Sequence, residues 1–322
     1  MKRNRGPLAL PLALSIVLVS ANGQAPPVQF KTVIQPLSGE NLNGPCSFDL
    51  SIPRATRHVL AVWITYDRGY DISRYYSDVE VMAFARKHAI ALMLAHQCPA
   101  KSPPTGEEGE MDMDVSRGVA RSIYAALDDF ARQSHHPEVS GAKLIVMGFS
   151  GIGAMFGRFV QYAPDRILAA ILANPGQADP YGLKGLDLST AAIAVPQFII
   201  AGGIDDRSGT QRPYDYFRRY RARGAPWVFV VQNGIPHCCV INARALILEW
   251  LDDMIELRAP ASERPLRGID ASRGWLGFNQ PCGAARKDHW GEPLWNVCDA
   301  TLKPVHVSTK LPERGSQHDG SH

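Results

Sequence analysis

Residues 142–164 read AKLIVMGFSGIGAMFGRFVQYAP, and this stretch decides the fold. Leu144, Ile145, Val146 and Met147 make a short apolar run, the pattern of a strand covered on both faces. Gly148, Gly151 and Gly153 then crowd around Ser150. Ile152, Met155, Phe156, Phe159 and Val160 recur at i, i+3, i+4, i+7 and i+8, one face of a helix. A buried strand, a tight turn and an amphipathic helix therefore lift one serine hydroxyl clear of the backbone. The free N–H groups of the helix start lie beside it.

Outward from this centre the chain alternates between strand and helix patterns. Strands are expected at Val28–Ile34, Phe48–Ile52, His58–Tyr66, Ala89–His96, Leu168–Ala173, Gln197–Ala201 and Trp227–Val231. Helices are expected at Ser77–His88, along the stripe Val115, Val119, Ile123, Leu127 and Phe130, and along Val240, Ile247, Trp250, Leu251 and Met254. The first two strands, joined through Ser38–Asn41, read as an antiparallel lead-in. The rest predicts a mostly parallel, doubly wound α/β sheet.

Two strand ends carry the partners that a serine needs. Phe198–Ala201 runs into Gly202-Gly203-Ile204-Asp205-Asp206, and Val228–Val231 runs into Gln232-Asn233-Gly234-Ile235-Pro236-His237. A serine hydroxyl is a weak nucleophile until a base takes its proton. His237 is the candidate base, and Asp205 the candidate acid that orients it, with Asp206 one residue away as the alternative. Each lies beyond the carboxyl end of a parallel strand, where open α/β sheets place their sites.

In this order the chain resembles the α/β-hydrolases, whose elbow motif G-x-S-x-G is matched by Gly148-Phe149-Ser150-Gly151-Ile152 except that Ile152 holds the place of the second glycine. The likeness covers about Val28–Arg258 and is nearest to lidless dienelactone-hydrolase-like and carbohydrate-ester esterases. It implies a serine carboxylic-ester hydrolase working through an acyl-enzyme, with no cofactor and no metal. It implies oxyanion donors at the Gly151 N–H and at the backbone of Tyr66 or Asp67, although no HGGG run is present there. Tannase-like members put cysteines beside both serine and histidine; here Cys238 follows His237 but Phe149 precedes Ser150. Only a short helix and loops fit between Ala173 and Gln197, which suggests an open site able to admit a bulky or polymer-linked ester. A serine peptidase on the same fold, and a hydrolase-fold binding protein without activity, are the competing readings.

The flanks set the compartment. Residues 1–23 read as a signal peptide, with Lys2, Arg3 and Arg5, an apolar run Leu8–Val19 broken by Pro11, and Ala21-Asn22-Gly23 at the cut. Such a run is too short to span a membrane, so a secreted or periplasmic chain follows. The formal charge of +3 falls to about zero once those three cations leave, which argues against nucleic acid as a partner. The acids Glu107, Glu108, Glu110, Asp112 and Asp114 read as a solvated loop before a helix, with metal binding as the minor reading. Residues 24–260 are expected to form the hydrolase domain and 261–322 an irregular extension ending in a polar tail.

Six cysteines in an exported chain point to disulfides. The resembled fold puts the start of the second strand beside the end of the strand near His96, hence Cys46 with Cys98. Cys282 and Cys298 then pair in the extension, leaving Cys238 and Cys239 as a vicinal bond or two thiols. The alternative joins Cys238 and Cys239 to the extension.

Overall fold

In the computed structural model, residues 26–67, 72–103, 111–112, 114–175, 188–238, 241–259, 265–269, 281–282 and 296–297 are described. The proposed signal peptide, Glu107, Glu108, Glu110, Cys239 and Cys298 lie outside them, as does most of the proposed extension.

The apolar runs form strands β1 (Val28–Ile34), β2 (Cys46–Ile52), β3 (Ala61–Tyr66), β4 (Ile90–Gln97), β5 (Lys143–Phe149), β6 (Ile167–Ala173), β7 (Gln197–Gly202) and β8 (Val228–Gln232). They make one sheet in the order β1-β2-β4-β3-β5-β6-β7-β8. β1 pairs antiparallel with β2 and β2 antiparallel with β4; every later pairing is parallel. Cys46 opens β2, Cys98 follows β4, and the two are bonded with their Cα atoms 4.4 Å apart. Two short strands, β9 (Pro281–Cys282) and β10 (Asn296–Val297), pair separately.

Helices α1 (Ile72–Ser77), α2 (Val79–Lys87), α3 (Val119–Ser134), α4 (Glu138–Gly141), α5 (Gly151–Tyr162), α6 (Thr190–Ile193), α7 (Gln211–Arg221) and α8 (Arg244–Arg258) connect the strands. Strand alternation sends side chains to opposite faces. Val62, Ile64 and Tyr66 join the core beneath α3, α5 and α7, whereas Ala61 and Trp63 join the core beneath α2 and α8. Large side chains such as Phe130, Phe156 and Phe159 are fully buried, each contributing about 1.5–3 kcal/mol.

Local chemistry sets the helix ends. Asp78 caps α2 by accepting the N–H groups of Glu80 and Val81 at 2.9 and 3.1 Å. The stripe that begins at Val115 is broken: Val115–Arg117 form a single 3-10 turn, and α3 starts only after Gly118. Gly118 has φ +130, and a Cβ there would lie 2.9 Å from Leu42. Among the described residues no helix is long and apolar enough to cross a membrane.

The path from β3 to β4 passes the α2 face, and the path from β4 to β5 crosses β3 on the α3 face. The chain therefore reverses direction across the sheet between β3 and β5, the kind of point at whose carboxyl strand ends open α/β sheets place their sites. Ser150 sits at that edge.

Candidate active site

Ser150 is held in a conformation that L-residues rarely take, with φ +53 and ψ −126. Its N–H donates to Ala173 O at 2.8 Å, and its carbonyl accepts the Ala154 N–H at 3.1 Å, opening α5. Two glycines make the turn passable. A Cβ on Gly148 would lie 2.6 Å from the backbone C and O of Ile152. One on Gly153 would lie 3.0 Å from Gly148 O and 3.2 Å from Pro175 Cβ. Ile152, at the place of the motif's second glycine, instead turns into the core and is buried. The close approach has moved one residue along, to Gly153.

The structure brings Ser150, His237 and Asp205 into one hydrogen-bonded line. His237 Nε2 lies 3.0 Å from Ser150 Oγ, and His237 Nδ1 lies 2.9 Å from Asp205 Oδ2. Asp205 is fully buried, and its Oδ1 accepts the N–H groups of Arg207 and Ser208 at 3.0 and 2.8 Å. Those bonds stabilise the charged carboxylate away from water. Asp206 is exposed on the adjoining turn and is outside the line. With Nδ1–H donated to the carboxylate, the imidazole presents Nε2 as acceptor to the serine hydroxyl. That arrangement can take a proton from Ser150 and return it to a leaving group.

The two loops that carry acid and base are tied to each other through their backbones. Gly203 N–H donates to Gln232 O at 2.8 Å and Ile204 N–H to Ile235 O at 3.1 Å. Gln232 Oε1 accepts the Asn242 N–H at 2.6 Å, closing the neck of the histidine loop. Gly202 lets the loops approach: a Cβ there would lie 2.6 Å from Ile235 O and 2.9 Å from Pro236 O. Phe149 lies against the His237 ring, with centroids 5.2 Å apart.

The expected oxyanion donors fare differently. Gly151 is the first residue of α5, so its N–H has no acceptor within the helix. The Asp67 N–H, one of the two expected second donors, is donated to Ala95 O at 2.7 Å. Tyr66 lies within β3, paired with Ala95, and its hydroxyl is buried without a hydrogen-bond partner. Burial pushes that phenol well above its ordinary value. The loop 68–71 lies outside the described residues.

Cys238, next to the histidine, is exposed and disulfide-bonded. With Cys46 and Cys98 joined to each other, its partner is Cys239, Cys282 or Cys298, whose side chains lie outside the described residues. Of the acid-rich stretch, Asp112 is buried and bonded to Arg117 at 2.8 Å, and Asp114 caps the 3-10 turn through Ser116. Among the described residues no group of three or more His, Cys, Asp or Glu is placed to hold a metal. Sequence reasoning did not single out Asn174, whose only sequence signal is its position directly after a strand; it named Gly202 and Phe149 as neighbours of Asp205 and Ser150, without their contacts to the histidine loop.

No protein-family model matches the chain, and no similar sequence was found among curated proteins. Solved structures similar to it include FphF, a fluorophosphonate-binding serine hydrolase of Staphylococcus aureus, at 12% identity over 72% of this chain and 99% of that one, TM-score 0.46. Est1E from Butyrivibrio proteoclasticus is 14% identical over 70% and 99%, TM-score 0.45. A dienelactone hydrolase from Anabaena variabilis is 13% identical over 72% and 98%, TM-score 0.47. By the order and direction of its eight strands, with the serine turn after β5, the chain has the α/β-hydrolase fold.

Proposed function

We propose that the protein is an exported serine hydrolase that cleaves carboxylic esters through an acyl-enzyme. The observation that carries this reading is the unbroken line from Asp205 through His237 to Ser150, at 2.9 and 3.0 Å. In the first step Ser150 Oγ attacks the ester carbonyl carbon while His237 Nε2 takes its proton. The carbonyl oxygen becomes an oxyanion and meets the Gly151 N–H at the start of α5. Asp205 stabilises the imidazolium, and the ring then gives its proton to the departing alkoxide. Water, deprotonated by the same imidazole, releases the acid in the second half. The Cys46–Cys98 bond fits an oxidising compartment, and residues 1–23 would deliver the chain there.

The test is turnover of short-chain aryl esters beside matched peptide amides, by wild type and by Ser150→Ala. Ester turnover that drops by about three to six orders of magnitude in the variant, with its fold intact, supports the reading. Preference for amides would favour a peptidase, and no turnover of either a binding protein.

A further inference from the structure

Ala173 and Asn174, where β6 ends, touch all three elements that carry the proposed reacting groups. Ala173 O accepts the Ser150 N–H at 2.8 Å. Asn174 N–H donates to Ile200 O at 2.7 Å, in the strand that leads to Asp205. Asn174 Nδ2 donates to the carbonyl of His237 itself at 2.8 Å. The next residue, Pro175, packs on Gly153 in the first turn of α5. One short segment thus joins the serine turn, the acid strand and the histidine.

Asn174 is only 1% exposed, and its backbone has φ +43, a conformation that asparagine tolerates better than most residues. Backbone tolerance alone does not account for the side chain. A carbonyl can only accept, so the amide must turn its NH2 toward His237 O. Its Oδ1 is then left buried without a hydrogen-bond partner. Such a group costs about 1–3 kcal/mol, so a purely structural site would be better filled by an apolar residue or glycine. The bond to His237 gives the amide its use. Ile204 pins the histidine loop at Ile235, two residues short of the base; Asn174 pins it at the base.

We propose that Asn174 is a positioning residue, whose amide holds the main chain of His237 so that the ring reaches Asp205 and Ser150 together. The inference rests on the hydrolase reading of the site. Asn174 acts through His237 and takes no part in bond making.

Two variants test it, because glycine and aspartate both accept a positive φ and keep the backbone bond to Ile200. Asn174→Gly removes the amide. Asn174→Asp keeps its size but sets an oxygen against the His237 carbonyl. The readouts are kcat and KM on an aryl ester, the rate of labelling by a fluorophosphonate, the melting temperature, and the downfield Nδ1 proton resonance of His237. Asn174→Gly should lower kcat and the labelling rate by about ten-fold or more with KM little changed. Asn174→Asp should lower them further, and the resonance should shift or broaden in both. If Asn174→Asp does not fold, the same readouts on Asn174→Gly decide. Wild-type kcat, labelling and resonance in the variants would overturn the role of Asn174 while leaving the hydrolase reading intact. A wild-type protein that neither hydrolyses esters nor takes the label overturns the hydrolase reading and this inference with it.

Discussion

Replacing Gly202 by alanine should disable the site without altering any of its three polar side chains. The new Cβ would stand 2.6 Å from Ile235 O and 2.9 Å from Pro236 O, both backbone atoms, where ordinary contact begins at 3.4 Å. The histidine loop must therefore retreat by about 0.8 Å, the difference between the contact distance and the space present. His237 follows Pro236 directly, so its bonds to Asp205 and Ser150, now 2.9 and 3.0 Å, would open toward about 3.7 and 3.8 Å, beyond hydrogen-bonding range. A misplacement of this size costs about 10²-fold in rate, and the overpacking about 1–3 kcal/mol in stability. The control is Gly234→Ala on the same loop. Gly234 has φ +68 and open space around it, so its substitution should cost about 1–2 kcal/mol of backbone strain and little rate. Steady-state hydrolysis of an aryl ester and thermal melts of both variants give the comparison. If Gly202→Ala kept kcat within about two-fold of wild type, the claim that loop spacing sets the geometry would be refuted.

Other expectations rest on separate contacts. Asp205→Asn should cost far more turnover than Asp206→Asn, since only Asp205 meets the imidazole; kcat of the two variants measures it, and the opposite ranking moves the acid to Asp206. Removing the Cys46–Cys98 bond by paired serines frees a span of 52 residues, for which chain entropy predicts a loss of about 4 kcal/mol. Urea unfolding of oxidised protein measures that loss, and an unchanged midpoint would contradict it. Glu40 is held below the usual carboxylate range, first by the hydrogen bonds of the Arg121 guanidinium, against which burial works, and then by the Leu37 N–H. Its folded value lies below the unfolded one of about 4.3, so its stabilisation is complete above that pH and is lost as pH falls through the folded value. Glu40→Gln should thus be less stable than wild type at pH 7 by roughly 1 kcal/mol, with the gap closing in acid; a gap constant with pH would contradict the linkage.

Much of the fold was legible because its signals are apolar and periodic. The run from Leu144 into Ser150, the stripe of α5, and the acid and histidine beyond β7 and β8 could all be read from residue type and spacing. Helix α7 could not. Its buried face is Pro213, Tyr216 and Tyr220 amid four arginines, so no aliphatic stripe announces it. Tyr216 and Tyr220 can be buried because their hydroxyls find partners, Tyr220 accepting the Leu188 N–H and Tyr216 the Gln197 amide. The choice between Asp205 and Asp206 was open in the sequence because adjacent turn residues share their spacing; burial separates them. Ile152 departs from the motif's second glycine, and sequence does not reveal that Pro175 makes Gly153 the crowded position. Asn174 was invisible for a similar reason: its side-chain partner lies 63 residues away, in a loop placed by the tertiary structure.

The most direct test of the account is to expose the folded protein to a fluorophosphonate probe and map the modified peptide by mass spectrometry. Activation by the histidine predicts one adduct, on Ser150, abolished in Ser150→Ala and strongly slowed in His237→Ala. No adduct on the wild type, or an adduct that persists at full rate in either variant, would contradict it.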